Sequence, residues 1–277
     1  MGTRPLTQFV CITLAALSTS ACTAEPATLD WQIECVGRMS IRLPGAVDVP
    51  GMTAEQFLTN SQSRSYKFSD GQDAFHARFQ YGGNLAITAP LGAEQIDRLV
   101  KKQRQRFSTV QTAVEKGELR AGSGAKLKLS KLDRADPAFG WRIFNETEVT
   151  LVAYPTIPGH GLAWILSGSV EQSKKIDSAF ESFRAGVRAR PVFSVPSENG
   201  VCMPHLFVRD NGSDSAGRHI AATYRLRAHP DVTIMLEDAS AAGVPGHGDP
   251  KKYSAIYKSN FFGLKNTDRQ SNHLTVS

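Results

Sequence analysis

The chain is short of cysteine, of long apolar runs and of clustered reactive side chains, and each shortage narrows what it can do. Its 277 residues hold four cysteines, Cys11, Cys22, Cys35 and Cys202, none in a Cys-x-x-Cys pair, so neither a thiolate zinc site nor a dithiol redox motif is present. No helix-spaced histidine pair offers two imidazoles to zinc, and no serine stands in Gly-x-Ser-x-Gly, the sharp turn that exposes a hydrolase nucleophile. Gly122-Ser123-Gly124-Ala125-Lys126 lacks the spacing and the closing Lys-Ser/Thr pair of a phosphate loop and reads as a flexible turn. Aromatic residues make up only 8% of the chain. None interleaves the densest basic run, Arg98 to Arg106, so base stacking has no platform there. That run lies inside a helical pattern and reads as its solvated face.

What is present begins with an address. Arg4 supplies a positive start, Phe9 to Leu17 a short apolar stretch, and Leu17-Ser18-Thr19-Ser20-Ala21-Cys22 the small residues a signal peptidase needs. The stretch is too short to span a bilayer as a mature helix. Residues 1–22 therefore read as a signal peptide, with Cys22 the candidate for lipidation, although Thr19 stands where a lipoprotein leader usually has leucine. Cleavage near Ala21 or Ala24 without a lipid anchor is the alternative. Either way the expected compartment is the periplasm, with attachment to the outer membrane if Cys22 carries lipid.

Hydrophobic residues at 41% suffice for packed cores, and charged residues at 21% of mixed sign argue against wholesale disorder. The formal net charge of +6 suits an acidic partner or anionic lipid; an exported chain seldom meets nucleic acid. Met39, Ile41 and Leu43 alternate with polar residues before Pro44-Gly45, predicting a half-buried strand and a turn. Phe75, Ala77, Phe79 and Tyr81 predict a second strand, ending at Gly82-Gly83. From Ala93 to about Phe107 the period becomes helical, with Ile96, Leu99, Val100 and Phe107 on one face. Strands follow over 127–132, 141–144, 149–153 and 162–166. A helix then carries Ile176, Phe180, Phe183 and Val187, with Arg190-Pro191 as its stop.

Gly200-Val201-Cys202-Met203-Pro204 restarts the pattern that opens with Cys35. Strands are expected over 206–208, 221–226 and 232–236, and a short helix over 253–262; 266–273 has no periodicity. The organisation read from this is α+β in two domains, each a mainly antiparallel sheet with helices on one face. The boundaries are 30–191, a linker at 192–199, and 200–277, the last apparently incomplete because no long covering helix follows its strands. That segment is accordingly expected to be the least stable.

The seven histidines are scattered. His76 alternates onto a polar strand face, and His229 stands in a His-Pro-Asp turn. His247 lies between two glycines with Asp249 nearby, which is too little for a metal site. No cofactor is expected. Cys35 and Cys202 are disulfide candidates in an oxidising compartment, with two separate buried thiols as the alternative.

The segments Cys35-Val36-Gly37-Arg38-Met39-Ser40-Ile41-Arg42-Leu43-Pro44-Gly45-Ala46 and Gly200-Val201-Cys202-Met203-Pro204 resemble the openings of two domains of one family. Tyr224-Arg225-Leu226-Arg227-Ala228-His229-Pro230-Asp231-Val232 adds to the resemblance. The family is the type VI secretion lipase-immunity proteins, in the branch that neutralises the fourth class of phospholipase effectors. It covers roughly 35–242, and this sequence departs from the family where members continue with further strands and a closing helix. The resemblance implies a periplasmic protein, often lipid-anchored, whose two α+β domains grip a phospholipase and block it without chemistry of their own. The alternative from another class is an exported lipoprotein with an unrecognised ligand-binding or enzymatic site, around His247 and Asp249.

Overall fold

The structure, a computed structural model, describes residues 30–59, 66–74, 77–119, 124, 126–132, 139–213 and 217–240. Cys22, His76, His247, Asp249, the leader and the helix expected over 253–262 lie outside them. The described residues open with a hairpin of β1 (Trp31–Val36) and β2 (Met39–Pro44), then β3 (Val47–Asp48) and helix α1 (Ala54–Thr59). Strands β4 (Tyr66–Lys67), β5 (Asp73–Ala74), β6 (Arg78–Tyr81) and β7 (Asn84–Ile87) precede the long helix α2 (Ala93–Glu115). Strands β8 (Lys128–Lys131), β9 (Phe139–Phe144), β10 (Glu148–Tyr154), β11 (Thr156–Ile157) and β12 (His160–Ser169) lead into helix α3 (Ser173–Gly186). After it come β13 (Val187–Ala189), β14 (Gly200–Met203), β15 (Leu206–Arg209), β16 (Arg218–Leu226) and β17 (Thr233–Ala239).

Among the described residues the main sheet has ten strands, in the order β17-β16-β6-β7-β12-β10-β9-β8, with β11 and β3 at its margins. Its ladders are antiparallel, so the expected α+β class with antiparallel pairing is what the chain adopts. The helices depart from expectation by covering both faces. Successive strand residues point to opposite faces. Trp164 packs on Phe180 and Phe183 of α3, at 5.5 and 5.8 Å between ring centroids. Its strand neighbours point the other way, where Gly161 lies under Leu99 of α2 and Phe57 of α1. Likewise Trp141 stacks on Phe107 of α2 at 5.0 Å, while the adjacent Arg142 reaches Asp177 of α3 at 2.9 Å. Covered on both sides, β10 and β12 become continuous buried runs, and Trp164 is fully buried.

The expected division at Gly200 does not divide the sheet. β16 lies between β17 and β6, and its far end also pairs with β3. β15 lies between β14 and β13, a strand from the other side of the linker. The cover that β16 was expected to need from a helix of its own comes instead from the rest of the chain. Ile220, Ala222 and Tyr224 are buried in one core with Phe57, Trp164 and Phe180. Local periodicity identifies these strands but carries no information on which distant strand each will pair with. The helix bearing Phe180 also stops earlier than expected, at Gly186, and Val187 belongs to β13. A side chain at 186 would overlap the carbonyl oxygen of Arg209, so glycine there lets β15 close against the helix end.

The 192–199 stretch lacks regular structure, but it is tied down. Glu34 of β1, fully buried, pairs with buried Arg190 and accepts the Phe193 backbone N–H. Arg190 also donates to the carbonyls of Met203 and Ser194, at 3.0 and 3.1 Å. A buried ion pair holds only when its remaining hydrogen-bonding groups are also met, as most are here. Cys35 and Cys202 form a disulfide with Cα atoms 5.6 Å apart, joining the hairpin to β14 across 167 residues of chain. The hairpin turn adds reciprocal backbone bonds between Gly37 and Cys202, both at 2.8 Å. Gly37 has φ of +60°, and any side chain there would collide with the Asp238 carboxylate. The half-buried strand expected at Met39 to Leu43 buries only Leu43 and Pro44; Met39 and Ile41 stay exposed, as do Trp31 and Ile33 of β1.

Candidate partner-binding cleft

Among the described residues no group of three or more histidine, cysteine, aspartate or glutamate side chains is placed to hold a metal ion. None of their helices is long and apolar enough to cross a membrane. The fold does bring two histidines together that the sequence leaves 45 positions apart. His160 on β12 and His205 in the β14–β15 turn have ring centroids 4.8 Å apart. His160 Nδ1 donates to the Thr88 carbonyl at 2.9 Å, and burial lowers its pKa. Burial, with the nearby His160 and Arg190, pushes His205 down to about 4. Both shifts favour the uncharged imidazole, and the two rings, packed side by side, have no third ligand among the described residues.

A concave feature lies elsewhere, where the segments before and after the linker meet. A cleft of about 620 Å³ opens between α3, the end of β12, the turn after β6 and the loop that follows β15. Its floor is apolar: Leu166, Ile176, Ala179 and Phe183. The helical period that buries Ile176, Phe180 and Phe183 sets this floor, because α3 lays one face along β12. Ser167, Gln172, Lys175, Ser182, Arg209, Asp210 and Asn211 form the polar rim.

Asp210 holds the rim together. Arg38, from the hairpin turn, grips its carboxylate in a fork at 2.7 and 3.2 Å, and Tyr81 donates to it at 2.7 Å. The Gly212 N–H adds a bond at 2.8 Å. Burial alone would raise the pKa of Asp210, but the bonds from Gly212, Tyr81 and Arg38 outweigh it and hold the carboxyl below its ordinary range. Tyr81 is raised, first by burial and then by that carboxylate. Arg38 also donates to the Ser213 carbonyl at 2.7 Å, and its backbone N–H to Asp238 at 2.7 Å. Asp238 in turn takes a fork from Arg218, at 2.8 and 3.0 Å. Four distant parts of the chain are thereby clamped together beside one edge of the cleft.

Of the residues the sequence singled out, Cys35 and Cys202 meet in the disulfide, behind this clamp. His229 sits in the expected turn, accepting no role in the cleft; its backbone N–H donates to Leu226 at 3.2 Å. Arg38, Tyr81, Lys175, Arg209 and Asp210 were not singled out. The one available signal was Asp210-Asn211-Gly212, a turn sequence whose aspartate caps its own loop.

Known proteins resemble the chain in two ways. Residues 194–274 match the family model described as the Tle cognate immunity protein 4 C-terminal domain. In overall fold the chain is similar to the apo structure of the immunity protein TplEi of T6SS from Pseudomonas aeruginosa, with a TM-score of 0.52 at 15% identity. That alignment covers 85% of this chain and 68% of the other. It is also similar to a chain of the crystal structure of the Tle4–Tli4 complex, with a TM-score of 0.50 at 15% identity, over 83% of this chain and 65% of that one. At such identity the two likenesses establish a shared fold. No curated protein matches the sequence.

Proposed function

We propose that this chain, whose residues 194–274 match the family model of the Tle cognate immunity protein 4 C-terminal domain, is an immunity protein that binds and occludes a type VI secretion phospholipase effector. The family match carries the reading. Two features support it: a fold shared with the immunity protein TplEi, and a cleft between the two segments of the chain, rigidly framed and of a size to take part of a partner protein. The protein acts by covering its target, with no chemical step of its own. Its place of action is the periplasm, reached through the leader at 1–22, with Cys22 as the anchor to the outer membrane. Mixing the purified protein with a type VI secretion phospholipase effector from the same organism tests this. Lipid hydrolysis is expected to vanish at about equimolar amounts, the behaviour of tight binding. Undiminished hydrolysis at excess protein overturns the reading.

A further inference from the structure

The charge balance of the cleft selects what enters it. Among the residues lining it, Lys175 and Arg209 are cationic and Asp210 alone is acidic. The charge of Asp210 is already met by Arg38, in the ion pair at 2.7 Å. Lys175, in the first turn of α3, and Arg209, at the end of β15, are both exposed, and among the described residues neither has an ion-pair partner. The cleft therefore presents an apolar floor beneath two positive charges that no described acidic side chain pairs, contributed from opposite sides of the linker.

We propose that the cleft receives an acidic, apolar-flanked peptide segment of the effector, its carboxylate held between Lys175 and Arg209 and its apolar side chain seated on Leu166, Ile176, Ala179 and Phe183. The inference rests on the immunity reading above and names the chemistry of the partner. Two observations favour a peptide over a lipid. The apolar floor is four side chains of one helix face and one strand, enough to seat one or two side chains of a peptide. The rim also offers Ser167, Gln172, Ser182 and Asn211, groups suited to the backbone amides of an extended segment. The Arg38–Asp210–Tyr81 clamp holds the loop beside Arg209 before a partner arrives, so little ordering is left to accompany binding.

Charge reversal at both positions, Lys175→Glu with Arg209→Glu, tests the proposal in the full chain. Both side chains are exposed, so the fold is expected to survive, as circular dichroism and the thermal midpoint will show. Binding of the phospholipase effector that the wild-type protein inhibits is measured by calorimetry at low and high salt. The double variant is expected to raise Kd by roughly 30-fold or more at low salt, with less effect at high salt. Lys101→Glu with Lys102→Glu, the same charge change on the exposed face of α2, is expected to leave Kd within about threefold. Equal affinity for wild type and the Lys175/Arg209 variant overturns the cleft and leaves the immunity reading intact; no binding by wild type overturns both. In a second arm, capped Phe-Glu-Leu and Phe-Lys-Leu peptides are titrated into the labelled protein. Amide shifts at Ile176 and Arg209 with the glutamate peptide alone support the assignment. The same shifts with phosphatidylglycerol vesicles and with neither peptide assign the cleft to lipid and overturn it.

Discussion

His205 shows how far one buried side chain can be driven from its ordinary behaviour. It stands at φ of 65°, beside the His160 ring and near Arg190, with little water to stabilise a charge. Its folded pKa is about 4, against 6.5 for an unperturbed ring. In the unfolded chain it takes a proton near pH 6.5, while the folded chain refuses one until about pH 4. Stability therefore falls as pH drops through that window, by about 3 kcal/mol for a shift of this size. His160, also lowered, adds loss in the same direction; Asp48 and Asp210, lowered carboxylates, add theirs only below their ordinary range. His205→Asn keeps a residue that tolerates positive φ and removes the titration. Urea midpoints between pH 7.5 and 4.5 are expected to decline clearly less in the variant than in wild type. Parallel declines would show that His205 is not the titrating group.

At the scale of elements, the β1–β2 hairpin is held by covalent and ionic ties more than by its own burial. Trp31 is 53% exposed and Ile33 49%, so two of its large apolar side chains contribute little to the core. What anchors it is the Cys35–Cys202 disulfide, the Gly37–Cys202 bonds, and the buried pairing of Glu34 with Arg190. A cross-link spanning 167 residues restrains a very long loop in the unfolded chain, worth up to about 5 kcal/mol by loop-closure reasoning. Replacing both cysteines by serine is expected to lower stability by about 2 to 5 kcal/mol, read as a shift in the urea midpoint. An unchanged midpoint would mean that the noncovalent ties already restrain the hairpin in full.

For the whole molecule, the decisive fact is that β16 is an interior strand of a sheet whose other members, β17 apart, come from before the linker. Its ladder with β6 pairs Arg218 with Tyr81 and Ala221 with Arg78, and its side chains share the core of Phe57 and Trp164. A segment integrated in this way opens with the sheet rather than before it. The reading of 200–277 as a separate, weaker unit predicted early opening; the shared sheet predicts the reverse. In native-state hydrogen exchange the amides of 221–226 are expected to show protection comparable to those of 78–81 and 162–166. Markedly lower opening energies across 221–226 would show that the segment after the linker folds on its own.

Much of this was legible in the residues themselves. The strands over 141–144, 149–153, 162–166, 206–208 and 221–226 and the two long helices follow from side-chain period, because period is set by local geometry. The cysteine pair followed from there being no third candidate outside the leader, and the resemblance to an immunity family from three short anchors. The boundary of α3 was misplaced because Val187 continues the apolar spacing while Gly186 and the approach of β15 end the helix. The cleft was not legible. Lys175 and Arg209 stand 34 positions apart, and Arg38 and Asp210 172, on elements that meet only because β15 pairs with β13 and the hairpin is bonded to β14. Local sequence determined which residues form strands and helices and which faces are apolar. Long-range pairing, where one strand's backbone must choose among many chemically equivalent partners, was decided only by the packing of the whole chain.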